Sequence, residues 1–203
     1  IEKKYNKTEK RLTLIMKQLP PAGQLTGGHQ PRLIPIKLGI LDSEGRDVLN
    51  KKRGVATADQ SVLIAFDKTE ETYEFEEIEP NSIPSILRGF SAPVTLKYDY
   101  NTEELGHLAQ YDTDSFNRWD AFQELLKRTI LEAVKNIKTD QPIKFHPKIR
   151  DIFSSILENS PDDRALAAEM MVLPSASYLA EQTDTFDAES IFQARMRLRF
   201  FIA

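Results

Sequence analysis

The 203 residues contain no cysteine, which excludes both a disulfide framework and a thiolate metal site. That suits a reducing, cytoplasmic setting. No apolar run approaches the roughly 20 residues that a bilayer-spanning helix needs, and no signal peptide opens the chain at Ile1. A membrane partner is therefore not expected. Nor is a nucleic acid, because a concentrated basic face is missing and Lys51-Lys52-Arg53 is too short to make one. The net charge is −4, unevenly spread, with the first hundred residues near neutral and the remainder acidic. The apolar fraction of 40% is ordinary for a folded chain.

What is present is a change of period. Up to Tyr100 apolar residues alternate with polar ones, as in Val94, Leu96, Tyr98 and Tyr100. From Asn101 they recur every three or four residues. A period of two belongs to half-buried strands and one of 3.6 to amphipathic helices. Strands are expected at Leu12 to Met16, Ile34 to Ile40, Val62 to Phe66, Tyr73 to Phe75, Ile86 to Phe90 and Val94 to Tyr100. Turns are expected at Pro20-Pro21-Ala22-Gly23 and Asp42-Ser43-Glu44-Gly45. Six or seven short strands in a hundred residues predict an Ig-like sandwich of two antiparallel sheets.

Residues 101–203 read as an all-α array, the start of a helical, solenoid-like domain. Asn101 with Glu104 forms a capping box, and Asp114 or Ser115 caps the next helix. That helix carries a stripe of Trp119, Phe122, Leu126, Ile130, Ala133 and Ile137, expected to be buried over about six turns. Thr139-Asp140-Gln141-Pro142 breaks it. A third helix carries Ile149, Ile152, Phe153, Ile156 and Leu157. Ser160-Pro161 is expected to start a fourth, burying Leu166, Met170 and Leu173. A short helix around Tyr178 to Gln182 follows, and Asp187 caps the last. Both chain ends look cut, so the face Ile191, Ala194, Leu198 and Phe201 is expected to be exposed and prone to self-association.

Residues with chemical potential are few. His29, His107 and His146 are not spaced three or four apart, and none precedes a glutamate, so no helical zinc pair exists. Surface or capping histidines describe them better. Ser91 lacks the Gly-x-Ser-x-Gly surround of a nucleophile elbow and reads as a serine in a strand-entry turn. Asp112 and Asp114 are close enough to share a cation, although helix capping needs only one of them. Gly27-Gly28 lacks the Gly-Lys-Ser/Thr of a phosphate loop. Trp119 reads as core. The acidic run Glu70, Glu71, Glu74, Glu76, Glu77 and Glu79 lacks the ladder of a calcium loop and reads as a solvated strand face.

Four stretches, taken in order, resemble aminopeptidase N of the bacterial alanyl-aminopeptidase branch of zinc metallo-aminopeptidases. They are Pro31-Arg32-Leu33-Ile34-Pro35-Ile36, Phe90-Ser91-Ala92-Pro93-Val94, Asn117-Arg118-Trp119-Asp120-Ala121, and Leu173-Pro174-Ser175 with Tyr178-Leu179-Ala180-Glu181-Gln182. One departure is Asp187-Ala188, where the family pattern has Asp-Pro. The resemblance implies a β-sandwich domain over 1–100 and the beginning of the C-terminal helical domain over 101–203.

It also implies a parent enzyme that removes N-terminal residues from peptides with a zinc-bound water. The His-Glu-x-x-His helix, its downstream glutamate, the Gly-x-Met-Glu-Asn loop and the transition-state tyrosine are all absent here. No catalytic, metal-binding or cofactor-binding residue is therefore expected in this segment. Its expected role is to support and cover a cavity built by the rest of the same polypeptide, its principal partner. A free-standing protein-interaction module is the alternative.

Overall fold

The computed structural model describes residues 1–20, 30–49, 55–56, 60–159, 163–183 and 187–203. It divides into two compact units, Ile1–Tyr100 with Tyr111–Asn117, and Asn101–Gln110 with Arg118–Ala203.

Among the described residues the first unit holds seven strands in two sheets. One sheet has the order β1-β2-β6, from Glu2–Asn6, Arg11–Lys17 and Glu70–Phe75. The other has the order β4-β5-β3-β7, from Val55–Ala56, Val62–Phe66, Ile34–Leu41 and Ile83–Ile86. Every pairing is antiparallel. Alternation decides which face is buried: Leu12, Leu14 and Met16 of one sheet share a core with Ile36, Leu38, Ile40, Val62, Ile64 and Phe66 of the other. The architecture is thus an antiparallel sandwich followed by helices, as the change of period predicts.

Three details differ from the sequence reading. β1 was not among the expected strands, because Glu2-Lys3-Lys4-Tyr5-Asn6 has little apolar content; it is an edge strand with only alternate residues half-buried. The expected strand Ile86 to Phe90 stops at Ile86 and becomes a 3₁₀ turn over Arg88–Phe90. Val94 to Tyr100 joins no ladder. Its alternation survives, with Leu96 and Tyr98 half-buried against the core, while Tyr100 Oη donates to the Pro84 carbonyl at 2.8 Å. Extended backbone and a half-buried face produce a period of two without strand pairing.

Of the acidic run only Glu70, Glu71 and Glu74 lie on β6, where Glu70 pairs with Lys17 and Glu74 with Arg11; Glu79, beyond the strand, pairs with Lys10 at 2.6 Å.

The helices are α1 (Thr102–Tyr111), α2 (Ser115–Lys138), α3 (Lys148–Asn159), α4 (Arg164–Met170), α5 (Ala176–Glu181) and α6 (Ala188–Ile202). The capping box at Asn101 is reciprocal: Glu104 N donates to Asn101 Oδ1 at 2.9 Å, and Asn101 N to Glu104 Oε2 at 3.1 Å. Asp163 caps α4 through Leu166 N; the expected cap Ser160, with Pro161, lies outside the described residues. Ser175 and Asp187 cap α5 and α6.

On α2, Phe122, Leu126, Ile130 and Ala133 are buried together with Leu125 and Val134. Trp119 and Ile137, at the two ends of the expected stripe, are only half-buried, so Trp119 is not the core residue expected. The same correction applies to Leu166 and Leu173, half-buried beside a fully buried Met170, and to Leu157, which is exposed. The α6 face is corrected most. Ile191, Ala194 and Leu198 are buried and Phe201 is half-buried, because α3 and α5 pack on that helix; the exposed aromatics are Phe192 and Phe200.

Candidate functional site

Within the first unit the sandwich core is apolar, and the unusual chemistry sits on the outer face of the second sheet. On β3 the pleat points Leu38 and Ile40 into the core and Gly39 the other way; Gly39 lies opposite Ser85 of β7. After β7 the backbone enters the left-handed region at Leu87 (φ 62°), Gly89 (φ 61°) and Phe90 (φ 51°). This turn folds Arg88 back over the strand pair, where its side chain is 0% exposed. A Cβ on Gly39 would stand 2.0 Å from Arg88 Cζ, so the missing side chain is what admits the guanidinium.

Every arm of that guanidinium meets a polar group. Nε donates to Ser85 Oγ at 2.9 Å and Nη1 to Ser61 Oγ at 3.1 Å. Nη2 is ion-paired with Asp47 Oδ1 at 2.7 Å and Asp112 Oδ1 at 2.8 Å, in contact though not aligned for straight hydrogen bonds. Asp47 is delivered by the turn Asp42–Gly45, in which Asp42 Oδ1 accepts from the Glu44 and Arg46 amides at 2.9 Å each.

Asp112 arrives on the segment Tyr111–Asn117. Its Oδ2 accepts from Ser85 Oγ at 2.5 Å, and its Oδ1 from the Asp114 amide at 3.0 Å. Asn117 Nδ2 adds bonds to Ser85 Oγ at 2.7 Å and to the Ile86 carbonyl at 3.0 Å, and Thr113 Oγ1 donates to Asp47 Oδ2 at 2.7 Å. Burial pushes the Asp112 carboxyl up from its ordinary value, with Arg88, Ser85 and the Asp114 amide pulling less strongly the other way.

The cation that Asp112 holds is therefore a guanidinium of its own chain. Asp114 instead caps α2, its Oδ1 accepting from Asn117 N at 2.9 Å. Arg88 and Asp47 escaped the sequence reading. A single arginine inside the otherwise apolar or small run Ile83 to Ala92 was the available signal. Chemically the cluster is a buried ion network in which one guanidinium meets two carboxylates; it presents no activated nucleophile to a substrate.

The remaining candidates do not converge. His29 and Gly27-Gly28 lie outside the described residues. His107 is half-buried on α1. His146 is exposed ahead of α3, where Nδ1 accepts from Lys148 N at 3.3 Å and Nε2 lies 3.6 Å from Glu103 Oε1. Ser91 Oγ accepts from Lys37 N at 3.0 Å. Among the described residues no group of three or more His, Asp or Glu side chains is placed to hold a metal ion. These residues do not fit a zinc site.

An Ig-like sandwich followed by paired helices matches two family models. Residues 1–99 match a domain of unknown function, DUF3458, with an Ig-like fold, and residues 102–203 match its DUF3458_C companion, described as ARM repeats. The chain belongs to this family.

More particularly, it is similar to aminopeptidase N. It is 31% identical to that of Escherichia coli K12 over 96% of this chain and 22% of that protein. It is 32% identical to that of Haemophilus influenzae over 95% of this chain and, again, 22% of the relative. A crystal structure of Legionella pneumophila aminopeptidase A in complex with aspartic acid superposes with a TM-score of 0.79 at 29% identity. That likeness covers 100% of this chain and 21% of the other. The chain thus spans about a fifth of the length of the relatives it matches.

Proposed function

We propose that this chain is a non-catalytic segment of a cytoplasmic, zinc-dependent aminopeptidase that removes N-terminal residues from peptides. In this reading it supports and covers the active-site cavity, and its main partner is the rest of the same polypeptide. The observation that carries the proposal is the alignment. Nearly the whole chain corresponds to one contiguous fifth of aminopeptidase N, through both its β and its helical part.

The chemistry of the described residues supports the division of labour. Zinc hydrolases need converging ligands and an open coordination position for water. His107 and His146 are not arranged that way, and the buried carboxylates Asp47 and Asp112 are already engaged by Arg88. When bound to the parent, zinc would lower the pKa of a water so that it attacks the peptide carbonyl. The task left to this segment is shape.

The reading frame upstream of Ile1 tests the proposal. A His-Glu-x-x-His helix followed by a glutamate roughly twenty residues later is the expected finding. A start codon just before Ile1 would overturn it and favour a free-standing interaction module.

A further inference from the structure

We propose that Tyr111–Asn117 is an obligate strap of the β unit, and that the Asp112 carboxylate is the counter-ion without which Arg88 does not stay folded over Gly39. Domain descriptions end the Ig-like part at residue 99, yet the unit closes with seven residues from beyond that boundary.

Three features accommodate the strap and the arginine it neutralises. Gly39 leaves the space that the guanidinium fills. Gly45, at φ +80°, leaves a second space where a Cβ would stand 2.4 Å from Tyr111 Cβ. The left-handed residues Leu87 and Phe90 hold a backbone conformation that L side chains seldom adopt, with the buried Arg88 between them.

Taking the strap away removes more than one bond. Arg88 Nη2 loses Asp112, the Ser85 hydroxyl loses its acceptor, Asp47 Oδ2 loses Thr113, and the Ile86 carbonyl loses Asn117. A guanidinium left with one carboxylate in a dry site is the costly half of a broken buried pair. Opening the turn to water is the response that such a site favours.

Amide hydrogen exchange on the whole chain, read segment by segment, tests this. In Asp112→Ala, exchange should accelerate by more than about a hundredfold over Ile83–Phe90 and Tyr111–Asn117, the scale of a broken buried pair. Sodium formate should restore part of the protection by supplying the missing carboxylate. It should have no such effect in Arg88→Met/Asp112→Ala, where there is no cation left to neutralise. If Asp112→Ala does not fold, Asp112→Asn keeps the shape without the charge and should show about a tenfold acceleration over the same segments. Exchange over Ile83–Phe90 unchanged in Asp112→Ala, or in Asp112→Asn where the alanine variant does not fold, overturns the proposal. So does formate protection that persists in the double variant.

Discussion

Arg88 is tolerable in a dry site only because its surroundings answer it atom by atom, and that makes its neighbours unusually sensitive. Gly39→Ala places a methyl 2.0 Å from Arg88 Cζ, on a strand held by pairing with β5 on one side and β7 on the other. The expected cost is about 3 to 5 kcal/mol, that of breaking a buried ion pair, measured by urea unfolding. Gly106→Ala is the contrast. Its new Cβ would meet Lys148 Cε at 2.7 Å, on a flexible side chain that can swing aside, while alanine improves the helix by up to about 1 kcal/mol. Gly106→Ala should therefore be near neutral, and a cost equal to that of Gly39→Ala would contradict this account.

At the scale of elements, helix starts are set by short polar signals. Asn101→Ala removes the side-chain arm of the capping box on α1, the bond from Glu104 N to Asn101 Oδ1, and should cost about 1 kcal/mol in thermal or urea unfolding, with exchange rising first in Thr102–Leu105. This box was legible because it depends on residues three apart. So were the strands β2, β3 and β5, whose apolar residues alternate cleanly. Other elements were not. β1 carries too few apolar residues to announce itself, and Val94–Tyr100 keeps a strand's alternation without a partner to pair with. The strap network could not be read from spacing at all. Arg88 and Asp112 lie 24 positions apart, and only the fold brings their side chains within 2.8 Å. The α6 face shows the same limit: periodicity identified Ile191, Ala194 and Leu198 as one stripe, while α3 and α5 decided that the stripe is covered.

For the molecule as a whole, the chain matches about a fifth of aminopeptidase N, and in the proposed reading its chemistry is completed elsewhere in a longer polypeptide. The reading assigns hydrolysis to the parent and framework to these residues. The measurement that tests it most directly is release of chromophore from an alanyl anilide, run side by side on residues 1–203 and on the product of the entire reading frame. The account predicts turnover by the long protein that a chelator abolishes and zinc restores, with no turnover by residues 1–203 at any zinc concentration. Zinc-dependent turnover by residues 1–203 alone, or a long protein inert toward the substrate, would contradict it.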